Sequence, residues 1–164
     1  MNKRNLYLGA IIFMLTVGFI IFKKIRKDIA PQINFSGLLL KDIKGSEVNL
    51  QDFSGKPIVV NFWGSWCGPC RQELPGFEKA FNKYGSLVNF LLISDEPLEQ
   101  IIKFKEENSY TISYYQSKIP FNELGITAVP VTCFYDKKGK LITAKKDTLN
   151  EKELYGHIEK IIGD

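Results

Sequence analysis

The chain has 164 residues, 45% of them hydrophobic, which suits one domain with a core that needs no disulfide framework. The net charge of +4 sits at one end: residues 1–28 carry six basic and one acidic side chain, and the remainder balances at 16 basic against 17 acidic. That balance disfavours a nucleic-acid-binding surface, and neither an internal repeat nor a low-complexity tract is present.

Residues 5–22, "NLYLGAIIFMLTVGFIIF", are uncharged, and at ~1.5 Å per residue such a helix approaches the thickness of a bilayer core. They predict an N-terminal membrane anchor within residues 1–27. The run is longer than the apolar region of a cleaved signal, and "KKIRKDIAP" offers no small-x-small cleavage site. Lys23, Lys24, Arg26 and Lys27 outnumber Lys3 and Arg4, so flanking charge alone would keep the rest of the chain in the cytoplasm. Residues 28–34, "DIAPQIN", read as a linker, and residues 35–164 as one folded unit.

Two short apolar segments around "DIKGS" predict a β-hairpin. "IVVNFW" and "LVNFLLIS" lack alternation, as expected of strands covered on both faces. Between them, Leu74, Phe77, Ala80, Phe81 and Tyr84 recur at helical spacing up to Gly85, with Pro75 inside as a predicted kink. "PLEQIIKFKEEN" predicts a helix with Pro97 at its first position. "TISYY", "VTCFYD" and "LITAK" predict strands, the last two joined by the turn "DKKGK". Asn150 or Thr148 can cap a last helix that buries Leu154, Ile158 and Ile161. This order predicts an α/β domain with a central mixed sheet flanked by helices.

"NFWGSWCGPCRQELP" places Cys67 and Cys70 where a buried strand turns into a helix. A zinc site usually takes four nitrogen or sulfur ligands, and besides this pair the chain offers only Cys133 and a lone His157. A structural disulfide over three residues closes too small a loop to stabilise much. A redox pair accounts for the setting. Cys67 falls at the helix start, where unpaired N–H groups and the positive end of the macrodipole favour thiolate, so it is expected to be the exposed nucleophile. Cys70, one turn on and covered, can resolve a mixed disulfide formed at Cys67. Gly68 and Pro69 suit the first helical turn, and Trp66 can wall the cysteine on one side. Arg71 and Glu73 read as exposed helix charges, and Cys133 as a buried, inert thiol.

"FWGSWCGPC" resembles the thioredoxin active site, and together with "LQDFSGKPIVV" and "GITAVPVTCFYDKKGK" it resembles the membrane-anchored, extracytoplasmic thioredoxin-like reductases of the TlpA and ResA type. The resemblance covers residues 35–162. It implies a thioredoxin-like fold with an extra N-terminal β-hairpin and an N-terminal transmembrane helix. It also implies a cis Val129–Pro130 bond whose backbone meets an extended substrate, and no cofactor beyond the Cys67–Cys70 disulfide. The partners it implies are protein disulfide or dithiol clients and a membrane electron donor; the domain would lie outside the cytoplasmic membrane, with cytochrome c maturation as one use. Asn61 stands where cytoplasmic thioredoxins carry a buried aspartate, and an amide cannot titrate. In the ResA type a glutamate after the next strand lies near the cysteines, which points to Glu96, beside Asp95, as the proton acceptor. The alternative for Glu96 is a solvated acid near a helix start. A non-catalytic module gripping peptides around Pro130, or a cytoplasm-facing reductase, are the alternative functions. A peroxidase is weaker, because Gly64 stands where peroxiredoxins keep a hydroxyl residue.

Overall fold

A computed structural model describes residues 12–19 and 31–163. Residues 12–19 are helical, and the rest of the predicted anchor lies outside the described residues. Among the described residues no helix is long and apolar enough to cross a membrane.

Six strands form one mixed sheet in the order β1-β4-β3-β2-β5-β6. They are β1 (Leu40–Asp42), β2 (Ile58–Phe62), β3 (Asn89–Ser94), β4 (Ser113–Ser117), β5 (Val131–Tyr135) and β6 (Leu141–Lys146). β2, β3 and β4 run parallel; β1 is antiparallel to β4, β5 to β2, and β6 to β5. The helices are α1 (Gly68–Tyr84), α2 (Leu98–Glu107) and α3 (Glu151–Gly163), with two short 3-10 turns at Phe35–Gly37 and Leu50–Phe53.

Alternation along the central strands sorts the core into two layers. Ile58, Val60 and Phe62 of β2, with Val131, Cys133 and Tyr135 of β5, pack under the N-terminal segment and the Phe121–Ile126 region. Val59 and Trp63, with Phe134 of β5, face the helices and meet Leu74 and Phe77 of α1, Ile101 and Phe104 of α2, and Leu154 and Ile158 of α3. Each such buried apolar side chain contributes about 1.5–3 kcal/mol. Of the two candidate caps for α3 it is Asn150 whose side chain accepts from the Glu153 N–H (3.0 Å), and the Glu153 carboxylate accepts in return from the Asn150 N–H (3.1 Å).

Two expectations change in detail. The hairpin around "DIKGS" exists as a turn closed by Asp42 N–H to the Ser46 carbonyl (2.9 Å), but its second arm is a single bridge from Lys41 to Glu47, and β1 makes its ladder with β4 instead. Pro97 caps α2 rather than opening it. At the domain boundary, Ile33 is buried and its carbonyl accepts from the Tyr135 hydroxyl (3.1 Å), so packing begins before Phe35.

Candidate active site

β2 delivers the chain to the site. Beyond its last paired residue the Trp63 N–H donates to the Ile93 carbonyl (3.0 Å), and the backbone turns through Gly64 and Ser65 into α1. The exposed Trp66 ring lies against Gly64, and a Cβ there would stand 2.8 Å from the indole nitrogen and push the ring outward. Cys67 is the N-cap of α1, and Gly68 and Pro69 form its first turn.

Cys67 and Cys70 are joined, with 2.09 Å between sulfurs and 5.3 Å between Cα atoms. The Cys70 N–H points at Cys67 Sγ from 3.1 Å, which makes that sulfur the acceptor for one of the helix's unpaired amides. When the disulfide opens, the same amide and the macrodipole favour the Cys67 thiolate. Val129–Pro130 is cis, and the Val129 carbonyl lies 3.6 Å from Cys67 Sγ. That contact explains one correction: Cys67, expected to be exposed, is only 4% exposed, and Cys70 is fully buried. The side chain that does reach solvent is Trp66, 70% exposed.

The carboxylate of Glu96 accepts from the Ser65 N–H (2.7 Å), the Ser65 hydroxyl (2.6 Å) and the Ser94 hydroxyl (3.0 Å). Glu96 is buried, not a solvated acid, and its bonds clamp the turn two residues before Cys67. Asp95 accepts from the Phe121 N–H (2.9 Å) and secures the segment leading to Pro130.

Glu73 is the second correction. Expected on an exposed face, it is 5% exposed. One oxygen accepts from the Asn61 side-chain amide (2.8 Å) and the other from the Leu149 N–H (2.9 Å). Burial pushes its carboxyl up to about 7, although the two hydrogen bonds pull the other way. Asn61 also donates to the Thr132 hydroxyl (3.1 Å), its cross-strand partner on β5. The signal was present in the spacing: Cys70, Glu73, Phe77, Ala80 and Tyr84 are one stripe of α1, and that stripe faces the core.

Cys133 is buried on the opposite face of the sheet from the cysteine pair, and burial pushes its thiol up to about 12. His157 packs against Phe134 with ring centroids 4.9 Å apart. Among the described residues no group of three or more His, Cys, Asp or Glu side chains is placed to hold a metal ion.

The sequence matches the AhpC/TSA family over residues 27–152. It is 31% identical to the thiol-disulfide oxidoreductase ResA of Geobacillus thermodenitrificans over 75% of this chain and 73% of that protein. It is 26% identical to the protein of the same name from Bacillus thuringiensis subsp. konkukian over 98% of this chain and 99% of that one. Among solved structures, a candidate thiol-disulfide oxidoreductase of Bacteroides vulgatus superposes with a TM-score of 0.67 at 26% identity, covering 75% of this chain and 90% of that chain.

Proposed function

The chain belongs to the AhpC/TSA family and is a thioredoxin-like thiol-disulfide oxidoreductase; on that premise we propose that it reduces disulfides of client proteins through Cys67 and Cys70. The observation that carries this reading is Cys67 Sγ standing as the N-cap of α1 while bonded to Cys70. In the dithiol form the Cys67 thiolate attacks one sulfur of the client disulfide and expels the other as thiolate. The Cys70 thiolate then attacks Cys67 Sγ, closing the internal disulfide and releasing the second client thiol. Two electrons pass from protein to client, and a membrane dithiol donor restores the starting state.

Cys70 must lose its proton in a buried place. Glu73, one turn along on the same buried stripe and held near neutrality, takes that proton. This assigns to Glu73 the role that sequence reasoning gave to Glu96, and leaves Glu96 as a positioning residue for Ser65, Trp66 and Cys67. The Val129 carbonyl and the exposed Trp66 flank the nucleophile and receive the client backbone.

The anchor over residues 5–22 and an extracytoplasmic domain complete the proposal. Supporting it are the uncharged run itself, the exposed Ile12, Phe13, Met14 and Leu15 of the helical residues 12–19, and a ResA relative that aligns along 98% of the chain. One use is keeping the haem-binding cysteines of apocytochrome c reduced before attachment. A peroxidase is disfavoured because Gly64 stands where peroxiredoxins keep a hydroxyl residue.

Insulin reduction in the presence of a dithiol tests the activity. The parent protein should accelerate it and Cys67→Ser should not; a parent protein that exchanges with no dithiol would favour a peptide-binding module instead.

A further inference from the structure

A cleft of about 360 Å³, within the size range of small-ligand sites, opens between the turn that carries Ser65, the first turn of α1 and α2, and is lined by Ser65, Arg71, Gln100, Lys103, Phe104 and Glu107. Ser65 and Arg71 bracket the Trp66–Cys70 segment, one residue outside it on either side. The Arg71 backbone N–H donates to the Cys67 carbonyl (3.1 Å), so the side chain springs from the nucleophile's own turn. Gln100, Lys103 and Glu107 line one face of α2, and Phe104 forms an apolar base packed at a tilt against Trp63 with centroids 4.6 Å apart.

The charges in this cleft do not cancel. Lys103 reaches Glu107 at 3.9 Å, both well exposed, which accounts for the cleft's one carboxylate. Arg71, by contrast, has no ion pair or side-chain hydrogen bond among the described residues. An exposed planar guanidinium with its donors unused, on the first turn of the cysteine helix and sharing a cleft with the apolar Phe104, matches a carboxylate that can be bound in a fork.

We propose that this cleft is a client-recognition subsite in which Arg71, assisted by Lys103, binds an Asp or Glu side chain adjacent to the client's reacting cysteine. The inference rests on the thiol-exchange reading above and adds to it a preference among clients. Ser65, clamped by Glu96, keeps the floor of the subsite in register with Cys67. The pairing is solvent-exposed, so its effect on rate is modest and sensitive to salt.

The test uses three disulfide-bridged peptides that differ only in the residue after the cystine, Asp, Gln or Lys, each reduced by the full-length protein. Each protein is referenced to its own rate on the Gln peptide, so effects on the exchange chemistry divide out. The parent should favour Asp over Gln by roughly fivefold in kcat/KM, as one exposed charge pair supplies, and should disfavour Lys. Arg71→Glu should invert the order, Lys103→Glu on the separate helix should weaken it in the same direction, and about 0.5 M salt should flatten it. Equal rates on all three peptides overturn the subsite and leave the exchange reading standing. Failure of the parent to exchange with even the Gln peptide overturns both.

Discussion

Glu73 Oε1 accepts a hydrogen bond from Asn61 Nδ2 at 2.8 Å, joining the buried stripe of α1 to the central strand directly behind the cysteine pair. Because the amide carries no charge, the buried acid has no like-charged neighbour at this position of β2, and its proton affinity is set by burial.

The first prediction follows from that affinity. In the oxidised protein Glu73 stays protonated up to about 7, whereas in the unfolded chain it ionises near 4.5. Between those values the folded state holds a proton that the unfolded state has lost, so stability must fall as pH rises through that window and level off above it. The loss is of order 3 kcal/mol at most. Urea unfolding at pH 5 and pH 8 should show it in the parent, and Glu73→Gln should abolish most of the difference. The same variant should slow resolution and remove the step near neutrality from its pH profile.

Asn61→Asp places a second carboxylate against Glu73. Two acids at hydrogen-bond distance share one proton, so the variant should tolerate pH 5 and lose about 2–4 kcal/mol above pH 7, where the second proton must leave a buried site. Equal losses at both pH values would mean that Asn61 acts only through packing.

Glu96→Ala strands the partly buried Ser65 N–H and hydroxyl, and should cost about 1–3 kcal/mol of stability and alter the emission of exposed Trp66. The cysteine titration midpoint should not move. A displaced midpoint would return to Glu96 the proton-accepting role that its place after β3 suggests.

The two glutamates show how far the amino-acid sequence carries. The strands, the helix that starts at Cys67, and the cap at Asn150 are legible because each is set by local pattern: apolar runs, 3.6-residue spacing, capping chemistry. The cis bond at Pro130 comes from resemblance to relatives, since an isolated X-Pro bond is seldom cis. Glu73 is misread from sequence because a charged residue type outweighs its position on the helix. Its partners, Asn61 and the Leu149 amide, are distant in sequence and meet it only when β2, α1 and the loop before α3 are assembled. The burial of Cys67 escapes for a similar reason, because Val129, 62 residues later, comes to lie against it.

Cys133→Ala should leave disulfide exchange intact, because the thiol lies in the other core layer and burial holds it protonated. Thiol labelling of the oxidised parent should find no reactive group when folded and one after unfolding. Exchange lost in Cys133→Ala without loss of folded protein would contradict its separation from the redox pair.

The order of attack by the two cysteines is the centre of the account, and trapping measures it directly. Cys70→Ser and Cys67→Ser are each expressed in full length, alkylated at mildly acid pH, and the disulfide-linked adducts located by mass spectrometry. Cys70→Ser should accumulate client proteins bound through Cys67, while Cys67→Ser should hold none. Clients held through Cys70 in Cys67→Ser, with none in Cys70→Ser, would contradict the assignment of Cys67 as nucleophile and Cys70 as resolving thiol.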